Sequence, residues 1–204
     1  MITKIYSLAL MAVIVSFLGF LVENIWLILT KGFCDNRNMK LPFLLGYGLF
    51  IIGLYIFLGT PDSFIINSIF VNNQDIGHIV YFVIVFLIVS IGELLLGTFT
   101  EKYFKFYYWN YEKIPMHITR YTSIPTSLGF TVIIMFFMQE CFTPIYNFIY
   151  NSEKLSTSSI SIILITILTI DFLTSFYKMH KTNKQNIRWK YYINKKTEKA
   201  KITN

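Results

Sequence analysis

"TRYTSIPTSLGF", residues 119–130, sets an arginine, a proline, a glycine and an aromatic at fixed intervals just where the chain turns apolar. The same order has already occurred at "NRNMKLPFLLGY", residues 36–47. Aligned on Arg37 and Arg120, the two stretches share Pro42 and Pro125, Leu45 and Leu128, Gly46 and Gly129, then Tyr47 and Phe130. Upstream the match continues, because "LGFLVEN" places Gly19 and Glu23 as "LGTFTEK" places Gly97 and Glu101. The offset is 78 residues before the loop and 83 after it, so a single five-residue insertion in the second loop reconciles the whole. Each unit then reads as a helix with a Gly and a Glu at its end, a basic loop, and a proline opening the next helix. This pattern predicts a duplicated helical hairpin, an arrangement that transporters use to place a binding site between repeats.

The hairpins belong in a membrane. Of 204 residues, 54% are hydrophobic, 18% aromatic and only 14% charged, and the mean hydropathy is +0.54; a soluble domain of this size is more polar. Five runs approach the roughly 20 residues needed to cross a hydrocarbon core: about Tyr6 to Leu29, Leu41 to Leu58, Ile79 to Phe99, Ser123 to Glu140, and Ser156 to Tyr177. The expected fold is therefore an all-α polytopic transmembrane bundle over residues 1–180. Its first repeat covers about 6–58, its second about 79–140, and the fifth span, about 156–177, has no counterpart. A basic tail follows at 181–204. The stretch "DSFIINSIFVNN", from Asp62, is too interrupted to cross and reads as a surface or re-entrant piece. The first run lacks a small-residue cleavage site and is expected to stay as a spanning helix.

Basic residues orient the chain. Sixteen of the eighteen lysines and arginines fall in the loop after the first span, the loop after the third, or the stretch from Lys178 onward. The positive-inside rule then puts the amino terminus outside and the carboxyl tail in the cytosol of a multi-pass protein. The net charge of +7 is thus a topological signal rather than a nucleic-acid footprint. The tail is expected to lie solvated or to hold anionic lipid headgroups of the bilayer.

Ionisable groups within the bilayer are costly and tend to be functional. Glu23, Glu93 and Asp171 precede Lys31, Lys102 and Lys178 by eight, nine and seven residues. At 1.5 Å per residue all three sit about 10 to 14 Å inward from the basic belt, on helices that run in the same direction. They are expected to line one cytosol-facing cavity with Glu101, with Arg37 and Arg120 folding in as counter-charges. Arg37 pairs by chain proximity with Glu23, beside Asn24, and Arg120 with Glu93. Glu93, Gly97 and Glu101 form one stripe at i, i+4 and i+8. Gly19 and Gly97, one turn before their glutamates, permit close helix approach, and Gly46 and Gly129 are expected to do the same. Thr169 and Thr174 are candidate hydrogen-bond partners for Asp171. Trp109 and Tyr111, in the loop "YYWNYEKIPMHITR", read as aromatic-belt residues or as a stacking surface for a substrate.

Other chemistries find little support. Cys34 and Cys141 fall on opposite sides of the expected topology and cannot pair. No His or Cys stands at metal-ligand spacing, no phosphate loop of the Gly-x4-Gly-Lys-Ser/Thr type occurs, and no cofactor is implied. The Gly-Tyr-Gly in "LLGYGLF" lacks the preceding Thr-Val and the pore loop of a potassium filter.

Taken together, "NRNMKLPFLLGYG", "GELLLGTFTEK" and "YWNYEKIPMHITRYTSIPTSLGF", with Glu23 in the first helix, resemble the bacterial ABC-transporter type IV family of small polytopic proteins, also labelled CmpB-type permeases. The likeness covers roughly residues 10 to 140. More typical members carry Asn-Arg-Gly, a Pro-Ile-Tyr-Gly segment, Trp-Asp-Tyr and Gly-Arg, where this chain has Asn36-Arg37-Asn38, a Leu-Gly-Tyr-Gly segment, Trp109-Asn110-Tyr111 and Thr119-Arg120. The resemblance implies a permease-like component of a bacterial plasma membrane. Such a component needs a separate ATPase chain, and it is compatible with a homo-oligomer. Alternatives are an intramembrane enzyme acting on a lipid or isoprenoid-like substrate, with carboxylates as acid and base, or a membrane scaffold.

Overall fold

The computed structural model describes residues 2–63, 74–152 and 154–193. It is all-α apart from one two-stranded ribbon. The elements in order are α1 (Ile2–Lys31), β1 (Phe33–Asp35), α2 (Leu45–Leu58), α3 (Gln74–Phe104), α4 (Ile124–Phe136), a π-helical turn (Phe137–Cys141), α5 (Phe142–Asn151), α6 (Lys154–Thr182) and β2 (Lys190–Tyr192). Among the described residues four helical stretches are long and apolar enough to cross a bilayer: Thr3–Lys31, Ile76–Phe104, Ile124–Asn151 and Ser158–Thr182. Helices are what such runs must form, since lipid offers no hydrogen bonds to an open backbone. Glycines at positive φ end two helices: Gly32 (φ 71) closes α1 and Gly59 (φ 80) closes α2, each returning its N–H to a carbonyl of the last turn.

The run read as a second span behaves differently. α2 has only 14 residues, a rise of about 21 Å, and it begins at Leu45 rather than Leu41. The cause lies in the preceding segment. The Ser16 carbonyl takes the N–H of Leu44, which a helix begun at Leu41 would give to the Lys40 carbonyl, while Asp171 anchors the approach through the N–H groups of Lys40 and Leu41. Pro42 therefore stands ahead of α2, whereas Pro125 sits in the first turn of α4 behind an N-cap at Ser123. The two prolines match in sequence but not in position.

The fourth run is longer than its sequence reading, which ends at Glu140. The helix passes through Pro144 to Asn151. A proline inside a helix removes one N–H and collides with the carbonyl four residues back, here that of Glu140. The π-helical turn Phe137–Cys141 lies at that carbonyl and widens the helix by one residue. Cys141 thus lies in a helical turn, not a loop, and both cysteines are free thiols.

Contacts divide the chain into two compact units, Met1–Ile52 with Ile149–Asn204, and Gly53–Phe148. In the first, α1 packs on α6. Val13, Leu45 and Leu168 form one buried cluster, and Phe20, Met39 and Leu44 another, flanked by Phe172, Phe176 and Trp189. In the second, α3 packs on α4, and Phe142 is buried against Tyr55 and Tyr146. Residues 64–73, most of the stretch read as a surface or re-entrant piece, lie outside the described residues, as does the tail beyond residue 193.

The described part of the tail, mostly exposed, returns to the first loop. β2 pairs antiparallel with β1, with Cys34 opposite Tyr191. Below the ribbon three buried asparagines interlock: Asn36 Nδ2 donates to the Asn186 carbonyl, Asn36 Oδ1 accepts from Arg188 N, Asn38 Oδ1 accepts from Asn186 N, and Asn186 Nδ2 donates to the Asn38 carbonyl. Asn38 has φ 67, a left-handed conformation that asparagine tolerates better than other side chains. That is why an asparagine can stand where the resembling family carries glycine.

Candidate functional site

Each unit builds one cluster from its own hairpin. In the first, Gly19 on α1 lies under the ring of Tyr47, so close that a Cβ there would sit 2.6 Å from the ring carbon Cγ. The Tyr47 hydroxyl donates to Glu23 Oε1. Arg37 Nη2 meets Glu23 Oε2 at 3.0 Å, and its Nη1 lies 3.8 Å from Asp35 Oδ1. The pairing expected of Glu23 and Arg37 is present, with both side chains largely shielded. Asn24 is buried and serves the chain itself, accepting the N–H of Asp35 and donating to the Phe20 carbonyl.

The second unit repeats the cluster. Gly97 on α3 lies under Tyr121, where a Cβ would come within 2.5 Å of the ring, and the Tyr121 hydroxyl donates to Glu101 Oε2. Arg120 reaches Glu101 at 3.8 Å and Glu112 at 3.4 Å. It also donates to the Tyr107 hydroxyl and stacks 5.2 Å from that ring's centroid. Gly, Glu and Arg occupy the matched positions of the echo. The tyrosine does not: Tyr47 comes ten residues after its arginine, Tyr121 one. Two registers thus deliver the same ring over the same glycine. Gly46 and Gly129, expected to admit close packing, have nothing within 4 Å of where a Cβ would stand. The tight crossing falls instead at Gly48, against the Ala12 carbonyl of α1.

Glu93 accepts from side-chain hydroxyls. Ser127 Oγ donates to its Oε2 at 2.7 Å, Thr122 Oγ1 to the same oxygen at 3.0 Å, and the Tyr111 hydroxyl lies 3.4 Å from Oε1. Thr122 and Ser127 are buried, and they lie 3.2 Å apart. Both come from the stretch that opens the second hairpin's ascending helix, where the sequence shows them as polar residues without showing what they face. Trp109, read as a belt or stacking residue, commits its indole N–H to the Tyr121 carbonyl at 2.7 Å. Tyr111 takes the Arg120 carbonyl through its N–H. Those two bonds fold the aromatic loop back onto the start of α4 and hold Tyr111 at Glu93.

Asp171, buried on α6, accepts Lys40 N at 3.1 Å on Oδ1 and Leu41 N at 3.0 Å on Oδ2, with Ser175 Oγ at 3.3 Å. Thr169 and Thr174, the expected partners, bond instead to the backbone carbonyls of Ile165 and Asp171. Among the described residues no group of three or more His, Cys, Asp or Glu could hold a metal ion.

A family model described as "Putative ABC-transporter type IV" matches residues 10–176. No curated protein and no solved structure matches.

Proposed function

Because the chain belongs to the family described as "Putative ABC-transporter type IV", we infer that it is a permease-like component of a membrane transport system. It works with a separate ATPase chain, since its own sequence has no phosphate loop. Its basic loops and carboxyl end face the cytosol. That orientation predicts that an impermeant thiol reagent added to intact cells reaches Cys34 only after permeabilisation; labelling before it would reverse the topology. The two Gly, Tyr, Glu and Arg clusters, each inside one hairpin, support descent from a duplicated unit.

Glu93 carries the reading. Glu23 and Glu101 are held by arginines and tyrosines, and Asp171 by backbone amides, which are fixed donors. Glu93 accepts from hydroxyls on α4, on its approach and on the preceding loop. A hydroxyl donates or accepts by rotating about one bond, so this shell can re-form around a polar solute group or a proton. A carboxylate on a spanning helix within an adaptable shell is what a transport path needs. Glu93→Gln keeps the size and removes the charge. In a strain lacking the gene, it should fail to restore the transport phenotype while inserting normally in the membrane. Full restoration would show that Glu93 only packs.

A further inference from the structure

At the basic end of α3 the second unit holds an open cleft of about 500 Å3, walled by Thr98, Glu101, Lys102, Lys105, Phe106 and Tyr107. Its charges do not cancel. Glu101 is met by Arg120 and Tyr121, and Arg120 also faces Glu112. Among the described residues neither Lys102 nor Lys105 forms an ion pair. Against the two carboxylates stand three cations, which leaves one positive charge in excess beside the cleft.

The backbone adds a second observation. Lys105 follows the last helical residue and has φ 60, with its N–H on the Glu101 carbonyl. That left-handed position after a helix is one that glycine fills without strain, whereas a lysine there costs roughly 1 kcal/mol. The strained residue is one of the two lysines in the cleft wall.

The cleft also continues into exposed apolar surface. Ile91, Leu95, Thr98 and Lys102 follow one another at four, three and four residues, a single face of α3. Ile91 is 55% and Leu95 64% exposed in the chain. One helix face therefore runs from exposed apolar side chains to a hydroxyl and then Lys102, with Lys105 and Tyr107 just past the helix end.

We propose that this face is a binding site for an anionic phospholipid. The single negative charge of its phosphodiester sits between Lys102 and Lys105, within reach of the Tyr107 hydroxyl. One acyl chain lies along Leu95 and Ile91. The site is separate from the Glu93 shell and stands whether or not Glu93 handles a solute. It also differs from diffuse attraction to the basic tail, because it needs two particular lysines and the apolar track above them.

The test is native mass spectrometry of the purified full-length chain in detergent, titrated with phosphatidylglycerol or phosphatidylethanolamine. Lys102 and Lys105 are exposed, so the Lys102→Gln, Lys105→Gln double variant should fold. The wild type should retain one phosphatidylglycerol, and the double variant should bind it about thirtyfold more weakly, as expected for two basic groups at a membrane surface. A control with Lys181→Gln and Lys184→Gln should bind like the wild type. Unchanged binding in the Lys102 and Lys105 variant, an equal loss in the control, or equal retention of phosphatidylethanolamine would overturn the site. So would displacement of the lipid by millimolar inorganic phosphate, which would make it a free-anion site.

Discussion

Asp171 accepts two backbone N–H groups through its two oxygens, while Glu93 accepts side-chain hydroxyls from Thr122 and Ser127. Both are acids on apolar helices, and they should answer differently to the loss of one charge. An amide at position 171 offers one oxygen and one NH2 group to two amide donors, so one hydrogen bond is lost and a donor faces a donor. Asp171→Asn should therefore lower stability by about 2 to 4 kcal/mol, counting hydrogen bonds to a charged group and an unmet buried donor. The midpoint of thermal unfolding in detergent would register it. Glu93→Gln should leave that midpoint nearly unchanged, because rotating hydroxyls satisfy an amide as readily as a carboxylate, and its loss should appear in transport. If both variants unfold early, Glu93 is a structural acid as well.

The helices obey contacts that are remote in sequence. Gly48 meets the Ala12 carbonyl and Ser16 Oγ of α1, and a backbone oxygen cannot swing aside. Gly48→Ala should cost about 3 kcal/mol, at the upper end of overpacking effects, and Gly46→Ala, with open space around it, should change the unfolding midpoint little. Equal effects would mean that α1 and α2 do not cross at Gly48. What the sequence makes legible here is apolar length, which determines α1, α3 and α6 without reference to anything else in the chain. The late start of α2 is not legible, since it depends on the Leu44 amide being taken by the Ser16 carbonyl of α1. Nor is the passage of the fourth span through Pro144, which a local reading takes as a stop and which a π-helical turn absorbs. Within the sites, the Glu23 and Arg37 pair follows from chain proximity. The tyrosines over Gly19 and Gly97 do not, because their registers differ and only the folded chain brings each ring to its glycine.

At the scale of the molecule, the first unit is closed by the last described residues of the chain. Cys34 and Tyr191 face each other across the ribbon, and directly opposed residues of an antiparallel pair have Cα atoms about 4.5 to 5.5 Å apart, within the range a disulfide bridges. Tyr191→Cys should therefore form an intramolecular bond with Cys34 on mild oxidation of the purified protein, seen as a cross-linked peptide after proteolysis. Only monomeric reduced chain, or dimers joined through the introduced thiol, would show that the tail does not return to the first loop.

That return also orders events on the ribosome. Asn36 waits for a partner 150 residues downstream. At translation rates of roughly 5 to 20 residues per second the wait is about 8 to 30 s. The second unit, continuous from Gly53 to Phe148, is fully synthesised before then, so the half of the protein written first is the half completed last. A nonsense codon near the end of the gene would leave a finished second unit joined to a first unit whose polar loop never finds its lock. Quality control in the membrane should single out that product by its amino-terminal half, far from the lesion that caused it.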